Sequence, residues 1–229
     1  MNKKERILSI IRKIIDVFVI VLLISATVFL FSGHAKNIQR IIFMIGQFVM
    51  MLLVLNLPKI LKSKYDIQIP FMLDIYFVLF AFCGFILGDV FNFYGRYPYW
   101  DAVLHAFSGV ILAYAGFLII DFLDKEYTIP LSFNPKFICV AVVLFSLSLG
   151  AVWEIAEFLI DDMFKTNSQQ YMKSTDGTLI GETDIPLEGH EALRDTMNDL
   201  MLDFGGAIVV ATITYKNIES KRKKALQKM

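Results

Sequence analysis

Six long apolar segments, each close to the length that crosses a lipid bilayer, constrain this chain more than any other feature. A helix needs about 20 mostly apolar residues to span a hydrocarbon core of about 30 Å. Of the 229 residues, 56% are hydrophobic, compared with roughly 45–50% in an ordinary soluble domain. The sequence therefore predicts an all-α integral membrane protein with a single polytopic domain. Its six spans are expected at about 14–33, 41–57, 71–93, 102–123, 137–160 and 198–215.

The distribution of basic residues predicts how these spans are oriented. A basic stretch before an apolar segment is also typical of a cleaved signal peptide, but an apolar run of about 20 residues is too long for one, so we expect an uncleaved first span. If both termini are cytoplasmic, 16 of the 22 lysines and arginines lie inside and 6 lie outside. That asymmetry is typical of an even number of spans with both termini in the cytoplasm. The segment 161–195 is then an external loop, long enough to form a lid.

Small residues predict which spans pack closely together. Spans three to six each carry small residues four positions apart, such as Gly84 and Gly88 in the third and Gly109 and Ala113 in the fourth. Small faces let helix backbones approach each other in lipid. The first two spans have fewer of these residues. We therefore expect spans three to six to form a core bundle, with the first two at its flank.

The polar residues of the last three spans recur three or four positions apart, which places their side chains on one face of each helix. In the predicted topology they all lie toward the external side of the membrane. Because a helix rises about 1.5 Å per residue, the deeper ones lie a turn or two below the outer surface. The group contains Asp101 and His105 in the fourth span, Glu154 and Glu157 in the fifth, and Asp195, Asp199 and Asp203 in the sixth.

Acidic side chains at this depth need a neutralising partner. A charged residue at the centre of a spanning helix costs about 2.5–3.5 kcal/mol, and less near the interface. The nearby basic residues, Arg96, Lys165 and Arg194, are too few to pair with all the acids. Bound protons or a bound cation must therefore neutralise the remainder.

The residue types favour a divalent cation. Carboxylates with one imidazole are typical ligands of Mn, Zn, Mg or Fe, and metal sites in helical bundles use inward-facing acids and histidines. Our first hypothesis is a metal-dependent membrane enzyme that acts on a lipid or cell-envelope intermediate at the outer leaflet. Its general base would be Glu157. Its metal ligands would come from His105, Glu154, Asp199 and Asp203, with Asp101 and Asp195 beside them.

Two other functions use the same residues. In a proton- or cation-coupled transporter the acids would be the ion sites, although no broken helix of the transporter kind is predicted. In a structural membrane subunit the acids would form a buried hydrogen-bond network. Asp101 and Asp195 also stand where helix N-caps are expected, so capping alone would account for these two. Formal net charge is zero, and nothing in the sequence predicts nucleic-acid binding.

Three motifs in the second half of the chain resemble those of a known family. They are Asp101-x-x-x-His105, Trp153-Glu154-x-x-Glu157, and Asp195-Thr196-x-x-Asp199-x-x-x-Asp203 followed by Gly205-Gly206. Together they resemble the YjdF-type family of bacterial inner-membrane proteins and, more distantly, the VanZ-like family linked to glycopeptide resistance. Glu157 stands where a VanZ-like protein is expected to have Gln, and Asp199 where Asn is expected. The resemblance covers about residues 70–215. It implies a bacterial cytoplasmic membrane protein with this polar site and no particular reaction.

Overall fold

Long helices dominate the computed structural model of this chain, which describes residues 3–34, 37–65, 69–126, 133–173, 180 and 184–227. Six helices in this part of the chain are long and apolar enough to cross a membrane, which confirms the predicted fold class. In chain order the elements are α1 (Lys3–Phe31), α2 (Ile38–Tyr65), α3 (Phe71–Ala81, continued by a π-helix over Phe82–Val90), the short α4 (Phe93–Arg96), α5 (Trp100–Glu126), α6 (Pro135–Phe164) and α7 (Arg194–Leu226).

Several helices extend beyond the predicted spans. The first begins at Lys3, so the basic residues before the apolar run are helical. The second continues through Pro58 to Tyr65, although the sequence predicts that it ends at this proline. Hydropathy detects only the apolar part of a helix, and a proline is tolerated in membrane helices where neighbouring groups satisfy the freed backbone.

The third span departs from a regular α-helix. Its second half, Phe82–Val90, is π-helical, and the N–H of Phe91 donates to the carbonyl of Ile86 at 2.9 Å. Gly88 lies directly against the ring of Tyr94, where any side chain would collide with it. Such stretches are rare and are often found near functional sites, but hydropathy gives no signal for them.

By their internal contacts the described residues form two compact units. The first contains α1 to α4 and the end of α6 from Ile160 onward, and the second contains α5, the rest of α6 and α7. The third span, which the sequence groups with the last three, shares its core with the first two. Every residue predicted for the cation site or its general base lies in the second unit.

The first unit has an apolar core and two polar links between its helices. The guanidinium of Arg12, buried on α1, forms an ion pair with Asp74 on α3. The amide of Asn56 on α2 donates to Asp16 Oδ1 on α1 at 2.9 Å. Its core consists of Leu8, Val19, Phe48, Met51, Leu55, Val78, Ala81 and Ile86.

The second unit is built on a close contact between α5 and α7. A Cβ at Gly109 would collide with the backbone carbonyl of Asp203, and a Cβ at Gly206 would lie 2.5 Å from the carbonyl oxygen of Ala106. The hydroxyl of Ser146 on α6 donates to the carbonyl of Gly109 at 3.2 Å. For this helix pair the predicted role of small residues is therefore confirmed. The buried core residues nearby are Ala113, Val142 and Ala207.

Candidate functional site

A single buried imidazole, His105 on α5, lies among carboxylates from three helices. Its Nε2 is 3.7 Å from Asp101 Oδ1, 3.9 Å from Glu154 Oε1 and 3.9 Å from Asp199 Oδ2. Its Nδ1 is 3.4 Å from Asp203 Oδ2. The exposed fraction of His105 is 6%, and those of Asp199 and Asp203 are 2% and 1%. The structure therefore brings together, around His105, acidic residues that the sequence predicts on one face of each of the last three spans.

Helical spacing explains this convergence. Asp101 and His105 lie one turn apart on α5, and the three aspartates of α7 lie one and two turns apart on one face. Two overlapping groups have ligand atoms within 4.8 Å of one another. They are Asp101, His105 and Asp199, and His105, Glu154 and Glu157.

Asp203 differs from the other acids because it faces the opposite nitrogen of the ring. The hydroxyl of Ser108 donates to its Oδ1 and also lies 2.8 Å from the carbonyl oxygen of His105. A Cβ at Gly150 would collide with Asp203 Oδ2, so this glycine makes room for the carboxylate. Metal-binding histidines usually donate their second ring N–H to a carboxylate. Asp203 occupies that position relative to His105.

Glu157 and Asp195 lie at the edge of the group. The indole Nε1 of Trp153 donates to Glu157 Oε1 at 2.9 Å, which fixes this carboxylate one turn from Glu154. Asp195 begins the row of aspartates on α7. Asp101 and Asp195 each follow the first residue of their helix, Trp100 and Arg194, so neither stands at the N-cap position.

Several buried oxygens of this group have no hydrogen-bond partner among the described residues. They are both carboxylate oxygens of Glu154, Oδ2 of Asp195 and Oδ2 of Asp199. In the described part of the chain, no lysine or arginine forms an ion pair with any of the site acids. The arrangement therefore concentrates carboxyl groups around one imidazole and leaves several of their oxygens without a hydrogen-bond partner among the described residues.

Two glutamines that the sequence does not single out also contact residues of the site helices. Gln170 Nε2 donates to Asp101 Oδ2 at 3.1 Å. Gln169 Nε2 donates to Thr196 Oγ1 at 3.1 Å and lies 3.4 Å from the carbonyl oxygen of Glu154. Both belong to the predicted external loop, whose residues 174–179 and 181–183 lie outside the described part of the chain. Amide side chains in a polar loop follow no helical or strand periodicity, so the sequence does not predict what they contact.

The helices and this cluster together define a class of protein, an all-helical membrane protein with a buried acidic–histidine site. The chain belongs to the family described as "Predicted membrane protein (DUF2238)", whose model matches residues 17–219 and so includes every site residue.

The chain is also similar to a Thermotoga maritima protein described as "Uncharacterized protein". The two are 26% identical over 140 residues, which cover 59% of this chain and 58% of the relative. The chain thus spans less than two thirds of that relative's length. No solved structure matches this chain.

Proposed function

We propose that this chain is a multi-pass protein of a bacterial cytoplasmic membrane that binds a divalent cation in its acidic–histidine cluster. The observation that carries the proposal is the burial of Glu154, which is 5% exposed and whose two carboxylate oxygens accept no well-formed hydrogen bond from the described residues. One of them is 3.9 Å from His105 Nε2. Burying an unpaired carboxylate is costly, and a divalent cation held by the neighbouring oxygens would offset that cost.

The geometry supports a particular assignment of ligands. Nε2 of His105 would bind the cation together with oxygens of Asp101, Glu154 and Asp199, and Asp195 lies one turn from Asp199 as a further oxygen donor. Asp203 would act differently from the role that the sequence suggests. Its contact with Nδ1 supports orientation of the imidazole rather than direct binding of the cation. An oxygen-rich set with one imidazole suits Mn, Mg, Fe or Zn.

We further propose that the site is that of an enzyme acting on a lipid or cell-envelope intermediate. A bound divalent cation would supply Lewis-acid activation of water or of a substrate oxygen. Glu157 would be the general base, because Trp153 holds one of its oxygens and leaves the other to accept a proton. The motif spacing, which resembles that of the YjdF-type and VanZ-like families, supports the bacterial membrane location and the polar site and implies no particular reaction.

Metal analysis of the purified full-length protein tests the cation proposal. We expect about one equivalent of a divalent cation per chain, since a ligand that binds only the folded state is retained and stabilises it by mass action. At a free concentration of about 1,000 times Kd that stabilisation is about 4.1 kcal/mol, so a chelator should lower Tm. Protein without metal, with a Tm that neither chelator nor added Mn²⁺ changes, would overturn the proposal.

The proposed orientation places both termini in the cytoplasm. Because most basic residues then lie inside, reporter domains fused after Ser63 and at the C-terminus should give a cytoplasmic signal, and a fusion after Pro98 should give an external one. Each position should be tested with one reporter active inside and one active outside. An external C-terminus would reverse the orientation and place the cluster toward the cytoplasm.

A further inference from the structure

The segment that follows α6 reaches the candidate site through two consecutive side chains. Gln170 contacts Asp101 of α5, and Gln169 contacts Thr196 of α7 and the backbone of Glu154 on α6. The segment itself is held by backbone hydrogen bonds. The N–H of Lys173 donates to Ile185 O at 2.9 Å, and that of Leu187 donates to Tyr171 O at 2.8 Å. The segment that contacts the three site helices is therefore itself anchored by backbone hydrogen bonds.

Gln170 adopts an unusual backbone conformation. Its φ is +47°, in the left-handed region, which a residue with a side chain rarely occupies and which carries a conformational cost. The structure maintains this conformation while the amide donates to Asp101 Oδ2 at 3.1 Å. Backbone strain of this kind persists only where the surroundings enforce it. The hydrogen bond between Gln170 and Asp101 is one interaction that the segment makes in this backbone conformation.

The contact engages one oxygen of the Asp101 carboxylate while the other oxygen faces His105. Asp101 lies in the first turn of α5, where its side chain could instead hydrogen-bond to backbone N–H groups of that turn. With Oδ2 engaged by Gln170, the other oxygen, Oδ1, lies 3.7 Å from His105 Nε2. Side chains that fix a metal ligand in this way typically change metal affinity 10–100-fold when they are removed.

We propose that Gln170 is a positioning residue for the cation site, because its amide holds Asp101 with one oxygen turned toward His105. The inference rests on the proposed cation binding and assigns a role to a residue outside the acidic–histidine cluster. Gln170 acts through Asp101 and does not itself bind the cation. The segment after α6 therefore contributes to cation affinity as well as connecting two helices.

The test compares Mn²⁺ binding by Gln170→Gly and the wild type, using titration calorimetry on metal-free full-length protein in detergent. Glycine adopts a positive φ without strain, so this variant removes the amide without disturbing the backbone. We expect Kd to rise 10–100-fold, while Tm of the metal-free protein does not fall. The matched control is Lys173→Ala, which truncates an exposed side chain of the same segment and keeps its backbone hydrogen bond to Ile185. It should leave Kd unchanged.

A double-variant comparison separates positioning from a general effect on folding. If Gln170 acts through Asp101, adding Gln170→Gly to Asp101→Asn should not weaken Mn²⁺ binding further. A further loss in that background, or an unchanged Kd in Gln170→Gly alone, would overturn the inference and leave the cation proposal standing. Wild-type protein that does not bind Mn²⁺ or other divalent cations would overturn both.

Discussion

Replacing Glu154 with glutamine should remove the bound cation, whereas the same replacement of Glu157 should leave it in place. The two residues lie one turn apart on α6. In the part of the chain that the structure describes, neither oxygen of Glu154 accepts a well-formed hydrogen bond, whereas Glu157 is held by Trp153. Removal of a residue that only orients a metal ligand typically weakens metal binding about 10–100-fold. Loss of a carboxylate ligand itself should therefore weaken binding by at least about 100-fold. Elemental analysis and melting curves with and without chelator measure both effects.

Glu154→Gln also discriminates between the ways in which the acids could be neutralised. If a cation does so, the variant loses metal and about 3–4 kcal/mol of mass-action stabilisation, and chelator has no further effect on it. If protons do so, glutamine imitates the protonated acid. The variant is then at least as stable as the wild type, and chelator has no effect on either. That result would favour the proton-coupled transporter.

A third result would indicate a structural role. Lower stability of Glu154→Gln without metal in the wild type and without an effect of chelator would mean that the carboxylate is part of a buried polar network. The neutral amide is a suitable probe because it is close to the carboxylate in size. A fall in stability would therefore reflect changed polar interactions rather than a cavity.

The sequence predicts the helices of this fold well, and it predicts their packing less well. Composition and segment length suffice for the spans, because a bilayer leaves few alternatives to an apolar helix. The π-helix at Phe82–Val90 and the continuation of α2 past Pro58 depend on contacts between neighbouring groups. The grouping of α3 with the first two helices also depends on side-chain packing, which small-residue spacing alone does not determine.

The candidate site shows the same division between local and long-range information. Helical spacing predicts that Asp101 and His105 share a face and that the aspartates of α7 form a row. It does not show which ring nitrogen each acid faces, so the position of Asp203 on Nδ1 could not be predicted. Gln170 contacts a residue 69 positions away, and its loop position gives no periodic signal.

The second large effect is expected at Gly206, the second of two adjacent glycines on α7. Gly206→Ala should destabilise the protein by about 1–3 kcal/mol, the usual cost of overpacking, and toward the upper end because the colliding atoms are backbone. An added Cβ would lie 2.5 Å from the carbonyl oxygen of Ala106 and 3.1 Å from the backbone nitrogen of Val110. Neither atom can move without separating α5 from α7. Unfolding in detergent measures the effect.

Gly205→Ala is the matched control, since the same atom added one residue earlier meets nothing within 4 Å. It should be neutral or stabilising by up to about 1 kcal/mol, because alanine favours a helix over glycine. Gly206→Ala should also weaken cation binding, because Asp203 lies one turn earlier on the same face and contacts His105. Equal stability of the two variants would mean that α5 and α7 are not in this close contact. Lost stability with unchanged cation affinity would mean that the site tolerates their separation.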